Sequence, residues 1–394
     1  MNPRIILILG ALSAFGPLAI DFYLPSFPTL ARVFATDVEH IQLTLAAYFA
    51  GLAIGQLAYG PVADRYGRRG PLLFGVILFT LASLGCALAT SLEALIALRF
   101  VQALGGCAGM VVSRAVVRDL CDPVDAARTF SQLMLVMGVA PILAPLAGGL
   151  LLAQFGWASI FFCLCLFGAL AAMGVALWLP ETLSQLEPRP PLRGTLRRYL
   201  SLLRDREFLA YGLSGGVAMA GMFAYIAGSP FVFIELYGVP AEDYGWLFGA
   251  NAAGFILAAQ VNARLMRYAG PGFWLRRLAW LHAACGAALL ILALVKPAAL
   301  WPLLIPLFIG IASLGCIIPN ATACAMAKQG HHAGSASALM GSLSFCVAAG
   351  ASALVGLLHD GSAVPMALVV ALCGLIAALL AWYSGQLQTG TTKP

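Results

Sequence analysis

Long apolar runs, each about the length needed to cross a bilayer, follow one another along this chain with short polar breaks between them. A helix needs about 20 apolar residues to span a hydrocarbon core about 30 Å thick. Twelve segments meet that length: 5–28, 40–62, 71–90, 93–117, 127–153, 157–179, 208–235, 243–266, 274–295, 299–326, 334–358 and 363–383. The runs are too long, and alternate too little, for the strands of a β-barrel. Only 10% of the residues are charged, against about 25% in soluble domains, so the chain cannot build a water-facing skin. The expected fold is an all-α membrane protein of twelve transmembrane helices. One positive charge, Arg4, precedes the first run and no small-residue cleavage site closes it, so it reads as a retained span.

The basic residues orient the chain. With the N-terminus inside, 19 of the 22 Lys and Arg residues fall on the cytoplasmic side, and the exceptions are Arg32, Arg99 and Lys296. The positive-inside rule then places both termini in the cytoplasm. It also accounts for the net charge of +6 without nucleic acid as a partner. The longest polar stretch, 181–207, is rich in Pro and Arg. We read it as a cytoplasmic linker between two six-helix bundles, 1–180 and 208–394, with its basic pieces solvated and facing lipid. Matching Pro25 to Pro230 also matches the basic loop Arg65–Arg69 to the basic turn Arg264–Arg277. Parallel six-helix repeats are a recurrent transporter plan.

In that frame Asp21 is the only carboxylate expected inside the membrane, and Arg99 the only cation well inside a span. At 1.5 Å per residue, Asp21 lies about 24 Å from Ile5 and Arg99 about 10 Å from the outer end of span four. The two are therefore expected at similar depth. The same half-to-half match puts Ile226 and Leu304 opposite them, so the ionisable positions belong to the first half alone. An intramembrane ionisable group is a functional-site candidate by default. Exposed to each side in turn, a carboxylate can load and release a proton. Two other readings stay open: a fixed Asp21–Arg99 ion pair that only pins helices, and an Asp21 tucked against the Pro25 turn.

GPVADRYGRRGP, Gly60–Pro71, lies between spans two and three. Gly60 and Pro61 are expected to end the helix tightly, and Asp64 to sit at a helix N-terminus on the neighbouring span. Arg65, Arg68 and Arg69 are expected at the anionic leaflet. The pattern Gly60-Pro61-x-x-Asp64-Arg65-x-Gly67-Arg68-Arg69 resembles the loop signature of the major facilitator superfamily. RFVQALGG, Arg99–Gly106, resembles the superfamily's span-four motif, whose arginine is implicated in proton coupling. GVAPILAPLAGG in span five is similar to the antiporter motif of drug/proton exchangers, with Gly138, Pro141, Pro145, Gly148 and Gly149 shaping a bent helix. Ala144-Pro145 stands where that motif has Gly-Pro. AIDFYLPSFP, SRAVVRDL, GSPFVF and GSASALMGSLSF look like the bicyclomycin/chloramphenicol resistance (Bcr/CflA) group, and the resemblance covers nearly the whole chain. It implies proton-driven efflux of small amphipathic drugs across the inner membrane. It also implies Asp21 as the protonation and cationic-substrate carboxylate, with Arg99 as its coupling partner.

A drug pocket should be apolar and aromatic with few polar groups. The candidate cavity residues are Tyr23, Tyr48, Gln102, Tyr225, Asn251, Asn320 and Phe345. For Tyr48, Asn251 and Asn320, pairing with another helix competes with substrate binding as the explanation. No catalytic residues, metal site or cofactor are expected. Most of the ten cysteines lie in apolar runs without a CxxC partner pattern. Gly212-Leu213-Ser214-Gly215-Gly216 spells a nucleophile elbow but lacks the strand–turn–helix setting. Adjacent His331-His332 is not the i, i+4 pair of a helical metal site. The expected partners are protons, small drug-like molecules and the bilayer, and the expected state is a monomer. A proton-coupled transporter of one metabolite is the alternative. A membrane sensor or scaffold is disfavoured because no soluble domain accompanies the linker.

Overall fold

The computed structural model describes residues 3–183, 192–329 and 333–390, so linker residues 184–191 and His331-His332 lie outside the described residues. Among the described residues every regular element is helical.

Span one is a broken helix. α1 (Pro3–Ser13) and α2 (Phe15–Asp21) part at Ala14, a 3₁₀ turn covers Leu24–Ser26, and α3 (Phe27–Val33) completes the span. Pro17 has no N–H for the Ser13 carbonyl and its ring crowds that carbonyl, so the helix breaks one turn earlier. Pro25 and Pro28 act in the same way just beyond Asp21. The next spans are α4 (Val38–Tyr66), α5 (Arg69–Ala87), α6 (Leu92–Leu120), α7 (Pro123–Phe155) and α8 (Ala158–Trp178). The linker carries α9 (Leu192–Leu202). α10 (Arg206–Pro230) continues as a π-helical segment, Phe231–Leu236. α11 (Tyr244–Leu265), α12 (Pro271–Val295), α13 (Trp301–Met326), α14 (Ala333–Leu357) and α15 (Val364–Gly390) follow. Among the described residues eleven spans are long and apolar enough to cross a membrane. α11 is long enough at 22 residues, but Asn251 and Gln260 dilute its apolar content.

One expectation fails here. Gly60 and Pro61 do not end the second span: α4 runs through Pro61 to Tyr66 and breaks at Gly67, whose φ is +98°. A proline inside a helix instead strips the carbonyl four residues earlier of its donor. The Leu57 carbonyl, freed by Pro61, accepts the Tyr199 hydroxyl of α9 at 3.3 Å. The Ile226 carbonyl, freed by Pro230, accepts Ser229 Oγ at 3.4 Å.

α4 packs against α6 and α14, α7 against α11, and α10 among α13, α14 and α15. The α4–α6 approach is close because small residues face it. A Cβ at Gly51 would lie 2.5 Å from the Phe100 carbonyl oxygen, and one at Gly55 2.6 Å from Cys107 Cβ. Gly55→Leu must therefore push the two helices apart. It should destabilise the protein by about 1–3 kcal/mol, the usual range for overpacking. Thermal unfolding in detergent would show this as a lowered Tm, and an unchanged Tm would contradict the packing described.

Candidate functional site

Asp21 closes α2, just where the helix ends. The last carbonyls of a helix have no helical donor, and they carry the negative end of its dipole. Arg99 of α6 meets one of them: its Nη2 donates to the Ala19 carbonyl at 2.9 Å. Its Nη1 donates to Gln102 Oε1 at 2.5 Å, and Gln102 Nε2 donates to Ser83 Oγ of α5 at 2.7 Å. The guanidinium carbon lies 4.3 Å from the Tyr48 ring centroid, 4.8 Å from Tyr23 and 5.9 Å from Phe161. Desolvated cation–π contacts are worth about 2 kcal/mol each. These faces and two oxygens hold a fully buried arginine in place without a carboxylate.

Asp21 is 4% exposed. Among the described residues the ion pairs are Arg68–Asp64, Arg68–Asp119 and Lys328–Glu207, and Asp21–Arg99 is not one of them. The fixed ion pair left open from the sequence is therefore not formed. Both Nη atoms of Arg99 are engaged elsewhere and tyrosine rings cover the guanidinium. Arg99 touches the chain beside Asp21 through the Ala19 backbone instead. Tyr48 of α4, Tyr225 of α10 and Tyr244 of α11 lie within electrostatic reach of Asp21. The Tyr48 hydroxyl and Arg99 Nε are buried and without a hydrogen-bond partner among the described residues. Tyr23 is tied to α4, its hydroxyl 3.0 Å from Thr44 Oγ1.

The other cavity candidates divide. Asn251 Nδ2 donates to the Tyr225 hydroxyl at 3.0 Å, so this pair joins the Asp21 neighbourhood. Asn320 and Asn262 exchange two amide hydrogen bonds, at 2.9 and 3.2 Å, clamping α13 to α11 away from it. Phe345 of α14 joins an aromatic cluster with Phe49 and Phe223, centroids 6.4 and 5.9 Å away. The span-five motif reaches the site directly. A Cβ at Gly148 would collide with the Phe22 carbonyl oxygen, so α7 lies against the break that carries Asp21. Positions 138 and 149 face the other way: a Cβ at Gly138 would meet Ile256, and one at Gly149 the Ala241 carbonyl. Pro141 and Pro145 lie inside α7.

The loop motif forms a second cluster. Arg68 donates through Nε to Asp119 Oδ2 at 2.8 Å and through Nη1 to Asp64 Oδ1 at 2.5 Å. Asp64 therefore sits in the last turn of α4 and not at the neighbouring helix N-terminus, because Arg68 four residues on holds it there. The anion at that N-terminus is Glu181, beyond α8. Its carboxylate accepts the backbone N–H groups of Arg68 (2.7 Å), Arg69 (3.2 Å), Thr182 (3.0 Å) and Leu183 (3.0 Å). A Cβ at Gly67 would occupy the place of this carboxylate. Arg69 Nη2 donates to the Ala176 carbonyl at 2.5 Å, and the Arg65 guanidinium lies 5.7 Å from the Tyr66 ring. Gly60 faces open space.

Two residues of consequence do not stand out in the sequence. Glu181 falls at the start of the polar linker, and its place right after a span and before Thr182 is the one signal that sets it apart. His282 of α12 is not counted among the Lys, Arg, Asp and Glu residues, so a survey of charges inside the spans passes over it. It is 2% exposed, its Nδ1 is 3.0 Å from the Gly310 carbonyl and 3.2 Å from Ser313 Oγ, and Nε2 has no partner among the described residues.

Burial raises the Glu181 carboxyl, but the four N–H groups outweigh it and hold it below the usual range. The tie therefore contributes above the ordinary glutamate value of about 4.3 and is lost as pH falls through the lower folded value. Glu181→Ala, which removes both acceptor oxygens, should expose the Arg68 and Arg69 amides to hydrogen exchange at neutral pH. The wild type should lose this protection only in acid, below about pH 4. Equal protection in the variant would contradict the tie. In the buried site, Gln102→Leu leaves Arg99 Nη1 and Ser83 short of a partner. It should destabilise the protein by about 1–3 kcal/mol, read from thermal unfolding.

Residues 7–353 match the family model described as Major Facilitator Superfamily. The chain is 40% identical over 375 residues to an uncharacterised MFS-type transporter, YdgK, of Bacillus subtilis (strain 168), covering 94% of this chain and 93% of that protein. It is 34% identical over 380 residues to a bicyclomycin resistance protein homolog of Haemophilus influenzae, covering 96% and 95%. Its fold is similar to that of a bacterial homolog of the human lysosomal transporter Spinster, with a TM-score of 0.74 at 15% identity and 98% of both chains covered. The twelve-span helical fold and these matches agree, and the chain belongs to the major facilitator superfamily.

Proposed function

We propose that this protein is a proton-driven antiporter that expels small amphipathic drugs across the inner membrane by alternating access. It is a transporter and not an enzyme, and a relative named as a bicyclomycin resistance protein homolog supports drug efflux. The observation that carries the reading is the buried, unpaired carboxylate of Asp21 at the break in span one. Burial of an uncompensated anion is costly, so the site calls for a proton or for a cationic group of the substrate. Arg99 steadies the break through the Ala19 carbonyl and leaves the carboxylate itself unclaimed.

In the cycle, Asp21 takes a proton from the outside and its hold on substrate weakens. The two halves, 1–180 and 208–394, then rock about the linker 181–207. The proton leaves toward the cytoplasm as the next substrate binds among Tyr23, Tyr48, Tyr225 and Asn251. Loosening and re-forming the Arg68 cluster at the ends of α4, α5, α6 and α8 accompanies the rocking. Both termini face the cytoplasm in this arrangement, and a monomer in the bilayer completes the path.

Inverted vesicles loaded with a pH-sensitive dye test the reading. Chloramphenicol or a cationic dye should drive proton movement in the wild type, and Asp21→Asn should abolish it. Substrate-driven proton movement that survives in the variant removes Asp21 from the coupling. Proton movement driven by nucleosides or sugars alone would make the protein a metabolite transporter.

A further inference from the structure

α9 stands apart from the spans and is apolar on two neighbouring faces. Tyr199 and Leu202 face the protein. Leu202 is 4% exposed, the Tyr199 hydroxyl holds the Leu57 carbonyl of α4, and α9 also packs against α14. Leu196 and Leu200, one helical turn apart, are 63% and 52% exposed, and Leu203 just past the helix is 41% exposed. Arg197 and Arg204 are exposed beside this stripe and Arg198 is exposed further round the helix. None of the ion pairs among the described residues uses them.

The height of α9 is set at two points. α4 has 29 residues and at 1.5 Å per residue is about 44 Å long, well beyond a hydrocarbon core of about 30 Å. Leu57 lies nine residues before its end, about 13 Å back, toward the end of α4 that leads into the basic loop Arg65–Arg69. At its other end α9 runs into α10 through a bonded turn, Leu203 N–H to the Tyr199 carbonyl (2.9 Å) and Asp205 N–H to the Leu202 carbonyl (3.1 Å). Asp205 then caps the start of α10 by accepting the Glu207 and Phe208 N–H groups at 3.1 Å. α9 is thus fixed at the level where spans begin. Exposed leucines beside arginines at that level match a leaflet: acyl chains for the first, phosphates for the second.

We propose that α9 is a docking site for anionic phospholipid. Leu196, Leu200 and Leu203 enter the acyl region, and Arg197, Arg198 and Arg204 hold the phosphate-bearing headgroup. Because α9 touches both α4 and α14, a bound lipid braces those two helices on one side of the membrane.

Native mass spectrometry of the purified full-length protein, offered equal phosphatidylglycerol and phosphatidylcholine with matched chains, tests this. The wild type should retain phosphatidylglycerol preferentially. An arginine near an anionic surface is worth about fivefold in affinity, so the combined variant Arg197→Gln, Arg198→Gln, Arg204→Gln should lower the preference at least about tenfold. Leu196→Ser with Leu200→Ser should lower retention of both lipids. Arg264→Gln with Arg267→Gln, on another basic loop, should change neither. An unchanged preference in the triple variant overturns the proposal, as does an equal loss in the loop control. Displacement of the lipid by inorganic phosphate would overturn it in favour of a free-phosphate site. The wild type alone supplies a further arm, since the preference should fall as salt rises from about 0.1 M to 1 M, and a salt-independent preference also overturns the proposal. No transport is measured, so a failure here is distinct from a failure of the efflux reading.

Discussion

Inside a hydrocarbon core a backbone group that loses its helical partner has no water to turn to. That constraint organises this protein, because its bends are made by prolines and helix ends that release such groups. The Ala19 carbonyl at the end of α2 is met by Arg99, the Leu57 carbonyl freed by Pro61 is met by Tyr199, and the Ile226 carbonyl freed by Pro230 is met by Ser229. At the start of α5 the orphaned groups are N–H donors, and there the partner is the Glu181 carboxylate. Each donor or acceptor comes from a different element or from the bend itself, so satisfying a bend also ties elements together.

The same constraint shapes the Asp21 site. Arg99 spends its Nη donors on a carbonyl of span one and on Gln102, which passes the link to Ser83 of span three. Aromatic faces from α4 and α8 cover the rest of the guanidinium. A buried cation is thereby compensated by dipoles and π-faces, and the Asp21 carboxyl has no ion-pair partner among the described residues. An Asp21–Arg99 ion pair would have been a stable strut, costly to break. α7 rests on the same break at Gly148, on α11 at Gly138, and on the turn before α11 at Gly149. α7 therefore contacts both α11 and Phe22, the residue after Asp21.

Much of the fold was legible in the sequence, since span length and apolarity are local properties. α11 is the instructive element: Asn251 and Gln260 weaken its pattern. Asn251 is buried and is satisfied by Tyr225 of α10, a contact no periodicity reveals. The site was legible in part. Asp21 and Arg99 stand out because charges in apolar runs are rare, and the tyrosines because they are polar there. The partner of each was not legible. Asp64 was expected at a helix N-terminus that Glu181 occupies, and Pro61 was expected to stop a helix that runs on to Tyr66. His282 is not one of the Lys, Arg, Asp and Glu residues surveyed along the spans, so charge placement does not mark it.

The sequence by itself determined that this chain spans a membrane many times, and that one carboxylate and one arginine lie within the apolar runs. These properties come from composition and residue spacing, neither of which needs a neighbour. Only the tertiary structure decided that the arginine serves the backbone beside the carboxylate and not the carboxylate itself. It also decided that Glu181 rather than Asp64 caps α5, and that the linker helix docks on a carbonyl freed by Pro61. The physical reason is common to all three: a hydrogen-bonding group in a bilayer takes the nearest complementary group in space, and proximity in space is set by the packing of helices that lie far apart in the chain.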